Sequence, residues 1–357
     1  QELKRKNLIQ LLFQITIIWM HCLIIYENLQ SKSLKEKERI LKKIENDATR
    51  PVLFSESKGG SESQLRLLFK FVPDEYFKNI NLILNNTDES LIDNKKINIL
   101  WVHHYINQKE VRNLKNQNYL DKIDYFVFNS NWNFKQHQYK FKIPSNKSVV
   151  IRNAIEEITS VEKSKDKINL IYHTTPWRGL NVLISAFKKL DVKDVELHIC
   201  SSTIIYGKKF HSNFEEKFKE IFDECKKLKN TKYYGFVEHS SLIELLQRMH
   251  IFSYPSIWPE TSCIAAIEAM AAGCEVVTTN LGALDETCSP FGKFVDFDND
   301  LNILEKKFLK TLQESIENYW SDDNQNKLKV QKETINKSYS WNLRKNEWMD
   351  FLKKINS

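Results

Sequence analysis

From about residue 51 onward, short apolar runs alternate with longer stretches of helical period. That rhythm is the mark of βα units built on parallel sheets. In the first half the runs are 51–56, 81–84, 97–103, 125–129 and 148–152. In the second half they are 168–172, 196–200, 232–237, 251–254, 275–279 and 293–296. Between the halves, Glu156 to Lys167 is polar and charged and reads as a linker. The pattern predicts two Rossmann-like domains facing a cleft, with any ligand at the carboxyl ends of the strands. The first half is lean in strands, and residues 1–50 read as helices that do not replace them. The tail from Leu301 is helical, with Trp341 and Trp348 as apolar anchors.

Within 1–50, Leu8 to Tyr26 is strongly apolar and long enough to cross a bilayer. Gln10, Gln14, Thr16 and His21 interrupt it, and such groups are costly in hydrocarbon. A buried or membrane-surface helix is the better reading. Lysines flank both sides and leave a topology undecided. The chain opens on Gln1 rather than Met, which fits a piece of something longer.

The richest segment runs from Pro259 to Gly273. Glu260 and Glu268 bracket seven small or apolar residues, with Pro259 as a helix entry and Gly273 as a helix stop. On a continuous helix the eight-residue step puts the carboxylates roughly 12 Å apart, too far for one reaction centre. The first turn of a helix offers N–H groups without intrahelical partners and a partial positive charge. Thr261, Ser262, Cys263 and Ile264 are expected to supply those groups to a phosphate. The two acids would then take hydroxyls on either side of a diphosphate, the order found in a nucleotide sugar. The plainer reading is a buried helix with two incidental glutamates.

The flanking sequence bears on that choice. Residues 251–260, the helix, and then 275–283 resemble retaining glycosyltransferases of family 4, which carry a Glu-x7-Glu motif on the GT-B fold. Gly59-Gly60-Ser61-Glu62 resembles the family's N-terminal glycine loop, and Trp101-Val102-His103-His104 its strand-end histidine. Phe128-Asn129-Ser130-Asn131-Trp132 and Val150-Ile151-Arg152-Asn153-Ala154-Ile155 resemble the segments that close the first domain. Thr174-Thr175-Pro176-Trp177-Arg178-Gly179-Leu180 resembles the phosphate turn, and Tyr234-Gly235-Phe236-Val237 the base loop. Arg178 takes the place of the family's usual lysine, and Tyr172 or His173 stands where an arginine is common. The resemblance spans roughly residues 51 to 345.

It implies an α/β, GT-B protein with extra N-terminal helices. The expected parts are a helical segment 1–50 with a candidate membrane-associated helix at 8–26, an acceptor domain 51–155, a donor domain 156–335, and a last helix 336–357 returning to the first domain. It implies retention of anomeric configuration, with Glu260, Arg178 and His103 at the reaction. Glu260 would face the donor sugar, Glu268 the ribose and Arg178 the diphosphate. Gly59, Gly60, Thr174, Thr175, Gly235 and Phe236 complete the donor contacts, and His104 is a weaker candidate. The donor would be a UDP-, GDP- or ADP-linked sugar; the acceptor a glycan, a lipid or a protein-linked glycan.

Composition adds little that changes this. Apolar content of 41% and charge of 28% are ordinary for a globular chain. Lys+Arg 53 against Asp+Glu 46 gives +7, spread along the chain, which argues against nucleic acid and leaves a membrane surface open. The six cysteines show no ligand spacing, so free thiols in a reducing cytoplasmic setting, with no structural metal, are expected. Asp296-Phe297-Asp298-Asn299-Asp300 holds Asp-x-Asp twice, but Asp and Asn also favour turns. No metal and no cofactor are expected beyond the donor itself. Among alternatives, an epimerase would need acids in the cleft and a phosphorylase a pyridoxal lysine, and neither is evident. A catalytically degenerate GT-B module acting as a scaffold in glycan assembly is the remaining rival.

Overall fold

The computed structural model describes residues 57–159 and 161–356. The segment 1–50, its apolar stretch 8–26, Cys22 and the strand expected at 51–56 lie outside them.

The apolar runs become ten parallel strands. β1 (Ile80–Leu84), β2 (Ile97–Val102), β3 (Tyr125–Phe128) and β4 (Ser148–Val150) form one sheet in that order. β5 (Ile168–Tyr172), β6 (Val195–Ile199), β7 (Thr231–Tyr233), β8 (Ile251–Tyr254), β9 (Glu275–Thr279) and β10 (Lys293–Val295) form the second, in the order β10-β9-β8-β5-β6-β7. Helices on this scaffold are α1 (Gly60–Phe71), α2 (Gln117–Asp121), α3 (Asn131–Phe141), α4 (Leu180–Lys188), α5 (Lys208–Lys227) and α6 (His239–Leu246). Then come α7 (Ile264–Ala271), α8 (Leu284–Cys288), α9 (Leu301–Glu317), α10 (Asp322–Ser338) and α11 (Trp341–Asn356).

Every residue of β5, β8 and β9 is buried, as expected of central strands covered by helices on both faces. β7 stops three residues after it starts, shorter than the run 232–237 suggested. Gly235 takes φ +66° and turns the chain out of the sheet. The five described cysteines are free and buried. The described residues of 156–167 hold no helix or strand, so the stretch links the two sheets as an irregular connection.

The second sheet reverses its order between β5 and β8. β5 continues through β6 to β7 on one side, and β8 continues through β9 to β10 on the other. In open α/β sheets the loops leaving such a switch point splay apart and leave a crevice at the carboxyl ends. Gly179 follows β5, and Glu260 follows β8.

The last helix crosses to the first sheet. Trp348 meets Trp101 of β2 edge-to-face at 4.8 Å, Trp341 stacks on Phe71 of α1 at 5.6 Å, and Phe351 meets Tyr125 of β3. Both tryptophans are essentially buried. Among the described residues, no helix is long and apolar enough to cross a membrane.

Candidate functional site

Glycines hold the loops after β5, β8 and β9 against one another. Gly179, with φ +118°, ends the short turn Pro176–Arg178, and a Cβ there would lie 2.0 Å from the Pro255 carbonyl oxygen. Gly282, with φ +73°, forms a bridge with Glu260, and its Cβ would lie 2.5 Å from the Glu260 carbonyl oxygen. The Ala283 N–H donates to that same carbonyl at 2.7 Å. No side chain fits at either place, so sequence and geometry agree on why glycine stands there.

These loops bring Arg178 and Glu260 together. Arg178 Nη1 lies 2.6 Å from Glu260 Oε1, and the Tyr254 hydroxyl donates to the same oxygen at 2.5 Å. Glu260 is buried and Arg178 partly buried, with its guanidinium 5.8 Å from the Trp258 ring. Burial opposes the arginine's charge, but the Glu260 carboxylate more than offsets it and holds the guanidinium protonated. Arg178 Nε and Thr175 Oγ1 are buried without a hydrogen-bond partner among the described residues. Unpaired buried polar atoms beside a charged pair are what an anionic ligand would satisfy. The Thr175 carbonyl accepts from the Tyr172 hydroxyl at 2.8 Å, and Thr174 precedes it in the same turn. Neither Tyr172 nor His173 supplies a second cation. Tyr172 is tied to that carbonyl, and burial pushes the His173 imidazole down to about 3, so it is neutral.

The helix after Glu260 starts later than its sequence suggests. α7 begins at Ile264 with Cys263 as its cap, so Pro259 is not a helix entry. Glu260 instead pairs with Gly282 as an isolated bridge, which extended backbone permits and a helix does not. Thr261, Ser262 and Cys263 therefore are not first-turn residues, and the straight-helix spacing does not apply. The N–H groups that open the helix belong to Ile264, Ala265 and Ala266. Thr261 and Ser262 are used otherwise. The Thr261 hydroxyl donates to the His103 carbonyl at 2.6 Å and accepts from the Asn129 amide at 3.1 Å. The Asn153 amide donates to the Ser262 carbonyl at 3.2 Å. The first sheet's loops thus dock directly onto the loop before α7. Gly60 joins them, since a Cβ on it would sit 3.1 Å from Ile264 Cδ1, and one on Gly59 would sit 2.6 Å from the Glu62 carboxylate.

Glu268 lies a turn inside α7 with a buried carboxylate, and its Oε1 is 2.7 Å from His239 Nε2. His239 was not singled out in the sequence. It opens α6, three residues beyond Phe236, and reads there only as part of a helix start. The hydrogen bond to Glu268 raises its pKa against the effect of burial. Gly235 and Phe236 form the loop before it, where Lys58 lies 5.3 Å from the Phe236 ring and 2.6 Å from Glu238.

His103 follows β2, and burial with His104 beside it lowers its pKa to about 3. Its Nε2 is buried without a partner among the described residues. It is a neutral group at this face, not a cation. His104 Nδ1 lies 3.8 Å from the Glu110 carboxylate. Glu286 of α8 also escaped sequence reading. It accepts from the Asn131 and Trp132 N–H groups at 3.0 and 2.8 Å, capping α3 from the other lobe.

The acidic run does turn work. Asp296 accepts from Asn280, Asp298 from the Asp300 N–H and Lys307, and Asp300 caps α9 through the Asn302 N–H. Among the described residues, no three His, Cys, Asp or Glu side chains converge as a metal site would require.

Residues 152–329 match the family model of glycosyl transferases group 1. No curated protein sequence matches the chain significantly. Among solved structures, a glycosyltransferase from Rickettsia africae aligns with TM-score 0.60 and 22% identity, over 82% of this chain and 81% of that one. Sucrose-phosphate synthase from Thermosynechococcus elongatus aligns with TM-score 0.61 and 13% identity, over 82% and 78%. HepE from Anabaena, in complex with UDP and glucose, aligns with TM-score 0.62 and 14% identity, over 86% and 84%.

Proposed function

We propose that the chain, whose residues 152–329 match glycosyl transferases group 1 and whose fold is GT-B, is a retaining, metal-independent glycosyltransferase of the hexosyltransferase type. Its donor is a nucleotide-diphosphate sugar linked to UDP, GDP or ADP. Its acceptor is a glycan, a lipid or a protein-linked glycan, met on the cytoplasmic side of a membrane surface or in solution. The observation that carries the reading is the Arg178–Glu260 pair at the switch point, with unpaired Arg178 Nε and Thr175 Oγ1 beside it. HepE has been captured with UDP and glucose on the same fold, which supports a donor of this class.

In the reaction, the bond between the anomeric carbon and the diphosphate oxygen breaks. A new bond forms from that carbon to the acceptor oxygen, on the same face of the sugar. The acceptor proton passes to the departing diphosphate. Charge grows on the leaving group, so donors fixed in advance lower the barrier most. Arg178 offers a planar fork suited to phosphate, and the N–H groups of Ile264 to Ala266 with Thr174 and Thr175 complete the cradle. Cys263, Ser262 and Thr261 shape the loop between sugar and diphosphate, and Gly59 and Gly60 let the first lobe come close. Glu260 exchanges its bond with Arg178 for sugar hydroxyls as the donor enters. His103, neutral, gives or accepts a hydrogen bond at the sugar. Glu268 takes the ribose, and Gly235 and Phe236 lie against the base.

Donor hydrolysis across UDP-, GDP- and ADP-sugars tests this directly. Turnover of one donor, lost by roughly 100-fold or more in Glu260→Ala and untouched by EDTA, is expected. A chain that binds and hydrolyses none of them is a scaffold module instead; the four described strands of the first lobe are what favours that rival. Loss of activity in EDTA, with rescue by a divalent cation, removes the metal-independent part alone.

A further inference from the structure

Glu268 is a buried acid with one partner. His239 Nε2 lies 2.7 Å from its Oε1, and among the described residues its Oε2 accepts no hydrogen bond. The second oxygen is not sealed off; it keeps access to solvent, where an incoming hydroxyl can reach it. Anchoring one oxygen restricts how the group can turn, so the second oxygen favours a narrower range of directions. The anchor comes from a different helix. His239 opens α6, and the chain reaches it directly from Gly235 and Phe236. One hydrogen bond therefore sets the depth of the acid on α7 against the position of the loop before α6.

We propose that His239 is a positioning residue of the nucleotide site, pinning one oxygen of Glu268 so that the other accepts the ribose hydroxyls of a nucleoside diphosphate. The inference rests on the reading of Glu268 as the ribose contact. His239 does not touch the reacting sugar; it acts through Glu268. Its exposed ring edge and its place at a helix start leave the core untouched when it is replaced. The raised pKa of the ring agrees with an imidazole that prefers to donate to a carboxylate, even at a helix start whose dipole disfavours its charge.

The test uses the full chain and calorimetric titration. UDP, GDP and ADP are titrated first, and whichever binds is compared with its 2′-deoxy counterpart. The wild type is expected to prefer the ribonucleotide by roughly tenfold, the worth of one hydrogen bond to a charged group. His239→Ala is expected to bring that preference close to one, while the deoxynucleotide binds about as it does to the wild type. His239→Gln keeps an N–H donor and is expected to retain most of the preference. If His239→Ala leaves the preference undiminished, or weakens both nucleotides equally, the positioning role is overturned and the donor reading stands. If the wild type binds nucleotide without preference, the ribose role of Glu268 falls and this inference with it. Absence of any nucleotide binding overturns the function proposed above as well.

Discussion

At the scale of single residues, the pairing of Arg178 with Glu260 is the most informative contact. Two groups assigned to different parts of a donor hold each other at 2.6 Å, with Tyr254 on the same carboxylate oxygen. Removing one partner of a buried pair leaves an uncompensated charge and costs several kcal/mol. The more telling change is therefore Arg178→Lys, which keeps the charge and loses the planar fork. It is expected to lower kcat/KM for the donor by roughly 10- to 100-fold, about 1.4–2.7 kcal/mol of transition-state stabilisation, with a near-normal melting temperature. Steady-state kinetics with a thermal melt of the same sample checks it; unchanged kinetics removes Arg178 from the phosphate site. Both residues were legible in the sequence because each sits just past a strand end in a distinctive motif. His239 was not, because a histidine at a helix start carries no signal until the fold sets a buried acid beside it.

At the scale of elements, most of the described strands were legible to within two residues, β7 being the exception because its run 232–237 overran a strand that ends at Tyr233. The runs at 168–172, 251–254 and 275–279 coincide with β5, β8 and β9, because central parallel strands are apolar on both faces and stand out. The helix after β8 was misplaced. Pro259 and the small residues behind it suit a first turn, yet tertiary pairing with Gly282 keeps Glu260 extended and delays α7 to Ile264. That bridge depends on a bare backbone at 282. Gly282→Ala puts a Cβ where the Glu260 carbonyl oxygen and amide nitrogen lie at 2.5 and 2.6 Å, at a positive φ that alanine resists. The expected outcome is a loss of about 2 kcal/mol or more of stability in denaturant titration, together with weakened donor binding as Glu260 moves. A stable variant with normal donor affinity means the bridge does not position Glu260.

At the scale of the whole molecule, five buried histidines among the described residues give the fold an acid weakness. Burial is the leading cause of lowering for each: His103 and His173 fall to about 3, and His137, His198 and His250 to about 4. Each binds a proton in the unfolded chain below about 6.5 and refuses it in the folded one. Stability from this source is thus full above that pH and is lost as pH falls toward 4 and below. The melting temperature is expected to hold between pH 7 and 8 and to drop steadily from about 6.5 downward; a curve flat to pH 5 contradicts the buried neutral histidines. By itself the sequence determined the alternation of strands and helices, the two halves with their linker, and the loops that carry Arg178, Glu260 and His103. These are local facts, set by side-chain period and turn chemistry within a few residues. Only the tertiary structure decided which groups meet. Arg178 finds Glu260, His239 finds Glu268, and Thr261 finds the His103 carbonyl across tens of residues or more. Those meetings follow from β8 joining the sheet beside β5 and from the two lobes docking at the loop before α7, and no short-range pattern encodes either.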